Sequence, residues 1–260
     1  MHLSSIVQAI CDFLSRSPLN TIPGLGDLKI FDLPLVGVAG VDDPLFDRLK
    51  DTDVIGPNHM APREWLESGK SVISYFLPFT QAVRQTNRQG DLPSSEWLYG
   101  RIEGEAFNNS LREFLVAIVT KAGFKAVSPA LDTRYATIKN VSNWSERHAA
   151  FIAGLGTFSL NCSLITRIGS AGRIGSVIVD FDLSPTQRYY QTVDENCTKC
   201  GACILRCPPR AISMAGKDHA ICAYYLEQMK ERFRPRYGCG KCQTGVPCET
   251  SIPVNSSSYS

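Results

Sequence analysis

The chain has 260 residues, 43% of them hydrophobic, 20% charged and 9% aromatic, with a net charge of +2 from 27 basic and 25 acidic side chains. These fractions exclude disordered, collagenous and coiled-coil chains. The near-neutral balance by itself points to neither a nucleic-acid nor a membrane partner, and no apolar run approaches the roughly 20 residues of a membrane span.

A chain of this length buries about 70–75% of its unfolded surface, enough for one large domain or two small ones. The N-terminus carries Asp12, no small-residue cleavage site and no twin arginine. It does not read as an export signal, and the expected location is the cytoplasm. Leu3, Ile6, Val7, Ile10, Phe13 and Leu14 recur at helical spacing and predict an amphipathic first helix, with Cys11 beside its apolar stripe. Residues 20–27 form a turn region, 35–39 a short buried strand, 44–50 a short helix and 71–77 a strand closed by Pro78. A polar stretch, 81–95, follows. Ser110 and Glu113 read as a capping box that opens a helix ending at Gly123, and 124–127 returns as a strand. Asn143 and Glu146 read as the cap of a second helix, running through Phe151 to Gly154-Leu155-Gly156, and 174–181 is a β-prone run. The pattern predicts a mixed α/β or α+β domain over residues 1–185. Near 183–196 the hydrophobic periodicity stops and the cysteines begin, which leaves 186–260 as a second domain.

Eight of the ten cysteines fall between Cys197 and Cys248. In a reducing compartment such crowding reads as metal ligation, not as disulfides. Cys197-Thr-Lys-Cys200-Gly-Ala-Cys203-Ile-Leu-Arg-Cys207-Pro208 follows C-x2-C-x2-C-x3-C-P without departure. In this bacterial ferredoxin run, three thiolates converge on one iron–sulfur cube and the fourth points to a second. A zinc site, the alternative, needs four thiolates and has no use for the third spacing or the proline. Cys222, Cys239-Gly-Lys-Cys242 and Cys248 bring the ligand count to eight, enough for two [4Fe–4S] clusters. The crossing pattern of two-cluster ferredoxins assigns Cys197, Cys200, Cys203 and Cys248 to one cube, and Cys207, Cys222, Cys239 and Cys242 to the other. Between Cys197 and Cys248 there are nine basic and three acidic residues, nine minus three giving +6, and Lys230, Arg232, Arg234 and Arg236 gather around Phe233. That segment reads either as a phosphate-binding patch or as charge that offsets anionic clusters or faces solvent.

Trp144-Ser145-Glu146-Arg147-His148, then Gly154-Leu155-Gly156, then Gly175-Ser-Val-Ile-Val-Asp180, then the two cysteine groups, in this order, resemble the epoxyqueuosine reductases and their relatives the reductive dehalogenases. Val72-Ile-Ser-Tyr75 and Tyr99-Gly-Arg101 stand where that family has a core strand and a substrate-side segment; the resemblance covers roughly residues 70–250. It implies a nitroreductase-like α/β domain that holds a corrinoid, followed by a ferredoxin-like domain with two [4Fe–4S] clusters. Electrons would pass from a donor such as a ferredoxin or flavodoxin through both clusters to cobalamin, which reduces an electrophilic substrate while a protein acid supplies a proton. The resemblance further implies cofactor contacts from Trp144, Ser145, Gly154, Leu155 and Gly156. Tyr75, Tyr99, Arg101 and Glu103, polar groups expected at strand or loop ends, are the candidate catalytic residues, each equally readable as structural.

The chain departs from the family pattern in three places. Asn140 stands six residues before Glu146, where the family has an acid; Ile102-Glu103-Gly104 replaces an Asp-Tyr-His; and the chain ends twelve residues after Cys248, where the family continues into helical repeats that grip transfer RNA. The expectation is a short relative acting on a small molecule or modified nucleoside, with no membrane partner. Two other readings stay open: an electron-transfer protein without corrinoid, and a tRNA-modifying reductase acting on epoxyqueuosine. Gly154-x-Gly156 is equally a helix C-cap. Asp132 is a further candidate acid, and Cys162 a candidate cobalt ligand or a small packed residue.

Overall fold

A computed structural model describes residues 1–138 and 140–254. In chain order its main elements are α1 (Leu3–Arg16), β1 (Leu35–Gly40), α2 (Pro44–Arg48), β2 (Ser71–Pro78), α3 (Gln81–Thr86), α4 (Ser95–Lys121), β3 (Ala126–Val127), α5 (Glu146–Ile152), β4 (Gly156–Phe158), β5 (Leu164–Thr166), β6 (Gly172–Val179), α6 (Ala202–Leu205) and α7 (His219–Arg232). The central sheet has the order β1–β2–β6–β3, every neighbouring pair antiparallel. Both faces of β2 are covered, which is why its sequence is apolar almost throughout instead of alternating. Ile73, Tyr75 and Leu77 pack with Ile6 and Ile10 of α1 and Phe107 and Leu111 of α4. Val72 and Phe76 face the other way, onto Trp144 and Ile152 and onto Ala150 and Leu155. The fold is mixed α/β, as expected.

Two helix starts differ from the sequence reading. The capping box at Ser110 does not exist: α4 is one helix of 27 residues, about 40 Å long at 1.5 Å per residue, and its cap is Ser94, whose hydroxyl accepts from Trp97 N at 3.2 Å. Gly100 and Gly104 disguise it. Glycine is a poor helix former by roughly 1 kcal/mol, yet here a Cβ at Gly104 would stand 2.9 Å from the Phe31 ring and one at Gly100 3.1 Å from the Phe79 ring. The tertiary contact overrides the propensity. Consequently Tyr99, Arg101 and Glu103 lie on a helix, not at strand or loop ends, and Tyr75 lies in the middle of β2. For α5 the cap is Ser145, because the Asn143 side chain is used in the preceding loop, accepting from Ala136 N and donating to Arg134 O.

After β6 the chain stays on the sheet through Thr186, whose hydroxyl accepts from Val38 N and whose amide donates to Val38 O. It then enters the cysteine-rich lobe, built of short loops, α6, a small hairpin at 212–217 and α7. Buried Glu249 fastens this lobe to α3 and the turn after it through ion pairs with Arg84 at 3.0 Å and Arg88 at 2.9 Å. Among the described residues no helix is long and apolar enough to cross a membrane.

Candidate cluster sites and the cavity beside them

All ten cysteines carry free thiols, and eight of them stand in two quartets. Cys197, Cys200, Cys203 and Cys248 line one small cavity, together with Leu160, Ile165 and Val246. Cys207, Cys222, Cys239 and Cys242 line a different and larger one, of about 600 Å³. The loop that carries the first three thiols turns tightly, with Lys199 and Gly201 at positive φ of 52° and 75°. Burial pushes the Cys203 thiol up to about 11, reinforced by Cys248, Cys197 and Cys200. Burial likewise pushes Cys242 up to about 12 and Cys239 to about 11; Cys207 and Cys222 add to both, and Cys239 adds to Cys242. Beyond burial, the thiols that oppose ionisation of these three are members of their own quartets. Thiols that burial holds protonated need a multivalent cation to become thiolates, which an iron–sulfur core supplies. Among the described residues no three His, Cys, Asp or Glu side chains close on a single ion; the thiols surround cavities instead. The donor set and its arrangement fit two cubes.

Gly240 explains how the second quartet is seated. It holds φ at 63°, and a Cβ there would fall 1.9 Å from Cε2 of Trp97 on α4. The Cys239-Gly-Lys-Cys242 turn therefore lies directly against the helix, as only glycine allows.

The larger cavity is lined by that quartet, the adjoining ends of β2 and β6, α7 and one face of α4. Trp97, Arg101, Glu105, Asn109 and Arg112 follow each other at three- and four-residue spacing along that face. Arg112, nearly fully buried, is the hub. It donates to Glu105 Oε1 at 2.8 Å, Asn109 Oδ1 at 2.6 Å, Glu146 Oε1 at 3.2 Å and the Ile174 carbonyl at 3.1 Å. Behind Glu146, Ser176 Oγ donates to Oε2 at 2.5 Å and itself accepts from Trp144 Nε1 at 3.0 Å. Burial raises the Glu146 carboxyl above the ordinary range, against the opposing pull of Arg112 and Ser176. The Nε atoms of Arg101, Arg112 and Arg173 are buried without a hydrogen bond, that of Arg173 standing 3.5 Å from Glu105 Oε2 in an ion pair, and burial brings Arg173 down to about 10.

Among the candidate catalytic residues only Arg101 lines this cavity. Tyr75 is fully buried, its hydroxyl donating to Asn108 Oδ1 at 2.9 Å, and burial lifts its pKa far above the usual phenol range. Tyr99 and Glu103 clamp the lobe to α4: the Arg236 guanidinium lies 3.6 Å over the Tyr99 ring, and its Nε donates to Glu103 Oε1 at 2.8 Å. Arg101 stacks in turn on Tyr237 at 4.4 Å. The basic segment is thus partly consumed inside the molecule, Arg234 also pairing with Glu231. Trp144, Ser145, Gly154, Leu155 and Gly156 do not line the cavity. Gly154 is the left-handed residue after α5 (φ 79°), and Gly156 lets β4 approach the Ile165 carbonyl. Asp132 is held low by Arg134. Cys162 Sγ stands 3.8 Å from His219 Nε2. Sequence reasoning missed Glu105, Asn109 and Arg112; the four-residue spacing from Trp97 would have found them once the helix was read through its glycines.

Comparison with known proteins agrees with this picture. Residues 190–213 match the 4Fe-4S binding domain family. Four curated relatives match, each named epoxyqueuosine reductase. One of them, from Salmonella typhimurium, is 34% identical over 202 residues, which is 72% of this chain and 50% of the relative. The chain spans 50–61% of the length of these relatives. Among solved structures, a catabolic reductive dehalogenase superposes with a TM-score of 0.59 at 16% identity, over 85% of this chain and 30% of that one. An epoxyqueuosine reductase with a modified tRNA stem loop gives 0.53 at 19% identity, over 95% and 66%. In sequence and in fold the chain is epoxyqueuosine reductase-like, a mixed α/β fold followed by a ferredoxin-like region that carries a [4Fe–4S] binding domain.

Proposed function

We propose that the chain is an iron–sulfur reductase of the epoxyqueuosine reductase type, working in the cytoplasm and divided near residue 185 into a cofactor domain and a cluster domain. Its two thiolate quartets each hold a [4Fe–4S] cluster, and its cavity holds a corrinoid. The observation that carries this reading is that one quartet, Cys207, Cys222, Cys239 and Cys242, forms part of the wall of the 600 Å³ cavity. An electron arriving there is already at the substrate chamber. The other quartet includes exposed Cys200, and is the entry point for a donor such as a ferredoxin or flavodoxin.

The lining suits a large macrocycle fringed with amides and a phosphate: Phe76, Phe79, Trp97 and Tyr225 supply apolar surface, and the Nε atoms of Arg101 and Arg112, which make no hydrogen bond, supply donors. A bound corrinoid supplies a strongly reducing metal centre. The chain's own contribution is proton handling and orientation of the substrate. Glu146 is the acid at this wall, its carboxyl raised above the ordinary range by burial against the pull of Arg112 and Ser176, and it is the group placed to hold or give up a proton there. Arg101 and Arg173 orient an anionic or polar substrate, and Tyr99 and Glu103 position the lobe. The substrate is an electrophilic small molecule or a modified nucleoside; the likeness to a structure bound to a tRNA stem loop supports the nucleoside.

Metal analysis and absorption spectra of protein made anaerobically with cobalamin test the reading. About eight irons and one cobalt per chain are expected. Eight irons without cobalt would leave an electron carrier, and about four would overturn the ligand assignment.

A further inference from the structure

Two cations lie beside the second quartet and have no carboxylate. Arg206 precedes Cys207, and Lys241 lies between Cys239 and Cys242. Both turn inward onto the turn after α3. Arg206 donates from Nη2 to the Asn87 carbonyl at 3.1 Å, from Nη1 to Arg88 O at 3.0 Å and from Nε to Thr244 O at 2.9 Å. Lys241, only 1% exposed, donates from Nζ to Asn87 O at 3.0 Å and Gln89 O at 2.6 Å. These partners are neutral carbonyls. Among the described residues neither cation has a carboxylate within ion-pair distance; Glu249, the buried acid of the lobe, is taken by Arg84 and Arg88, and Asp91 acts on Lys241 only from farther away.

Carbonyl oxygens satisfy the donors but leave the charge. Lys241 is buried and Arg206 half-buried, a cation so placed without a counter-charge is costly, and the negative charge within reach of Lys241 is that of Cys239 in the second quartet. The ligands Cys207, Cys239 and Cys242 are chain neighbours of the two cations, and a thiolate-held cube carries net negative charge that grows by one on reduction. The first quartet has no such pair: Lys199, its nearest cation in the chain, is exposed and bridged to Asp194 at 3.0 Å.

We propose that Arg206 and Lys241 are the built-in counter-charge of the second cluster, favouring its reduced form and so raising its reduction potential. An electron taken up at the first cluster then moves downhill to the one at the cavity wall; one centre is oxidised, the other reduced, and no bond changes. The inference rests on the two-cluster reading above.

Redox titration followed by EPR, with iron content measured in parallel on anaerobically reconstituted protein, tests it. Lys241→Gln keeps donors for the carbonyls and removes the charge. Gly245→Asp is an independent probe: a Cβ at Gly245 lies 3.3 Å from Arg206 Nε, Asp and Asn tolerate its φ of 67°, and Gly245→Asn controls for the backbone. With iron at the wild-type level, K241Q is expected to move one of the two reduction steps to lower potential and the other less, and G245D to do the same relative to G245N. Unchanged potentials in iron-replete K241Q would overturn the proposal. Should K241Q lose iron, equal potentials in G245D and G245N overturn it. Wild-type protein with about four irons removes the two-cluster reading itself, and the proposal with it, a failure distinct from that of the charge argument.

Discussion

Replacing Arg112 with methionine keeps much of its volume and removes the charge that joins Glu105, Glu146 and the Ile174 carbonyl. The side chain is 3% exposed and that of Glu146 19%, so breaking the pair leaves an uncompensated buried carboxylate, typically a loss of about 3–5 kcal/mol. In a chain of this size, where 1 kcal/mol is worth roughly 2–4 °C, the thermal midpoint falls by about 10 °C. Scanning the anaerobic holoprotein ranks the variants, since cluster loss makes unfolding irreversible. The pH dependence identifies the cause. Without Arg112 the Glu146 carboxyl, already raised by burial, rises further, while its unfolded value stays in the ordinary carboxylate range. The penalty is therefore largest at alkaline pH, where the folded carboxyl is ionised, and shrinks as pH falls through its raised folded-state range and the carboxyl is protonated with or without Arg112. Arg112→Met combined with Glu146→Gln should recover most of the loss at pH 7.5. A loss equal at pH 5.5 and 7.5, with no recovery in the double variant, would refute the reasoning and leave lost packing as the cause.

Gly240→Ala forces a Cβ to within 1.9 Å of the Trp97 ring in a left-handed backbone, and should empty the second quartet alone; iron falling from about eight to about four per chain is expected, and full iron would contradict the seating described here. His59 is 2% exposed with neither ring nitrogen bonded, and burial lowers it to about 4, so it folds neutral. Stability that is full above pH 6.5 is lost as pH falls toward 4, about 2 kcal/mol of it by pH 5, and His59→Phe should flatten that acid slope of the thermal midpoint; an unchanged slope would exclude His59 as its source.

The fold was legible where one periodicity ruled. Ile6, Ile10 and Leu14 mark α1 because a surface helix buries one stripe, and the largely apolar run of β2 marks a strand covered on both faces. Legibility failed where tertiary contact outweighed local preference. Gly100 and Gly104 suggest the end of a helix to anyone weighing propensity, and only the Phe31 and Phe79 rings that occupy their missing side chains show why α4 continues. A cap is similarly ambiguous from sequence, since Asn143 has the right chemistry but is engaged by Arg134 and Ala136.

The site divides along the same line. Cluster ligands are written in the sequence because a cube must be wrapped by a short loop, which fixes the spacing of Cys197, Cys200, Cys203 and Cys207. The cavity has no such local constraint. Its wall is assembled from elements far apart in the chain, and the residue that ties α4, α5 and β6 together there, Arg112, is an ordinary helix former at an unremarked position. What selects an arginine there is the meeting of Glu105, Glu146 and the Ile174 carbonyl at one buried point, since a planar guanidinium serves several acceptors at once where a lysine serves them as a point charge. The same reasoning separates Arg101 from Glu103. Two positions apart on α4, they point to different sides of the helix, so one faces the cavity and the other holds Arg236; a catalytic assignment made from linear proximity joins residues that the helix keeps apart.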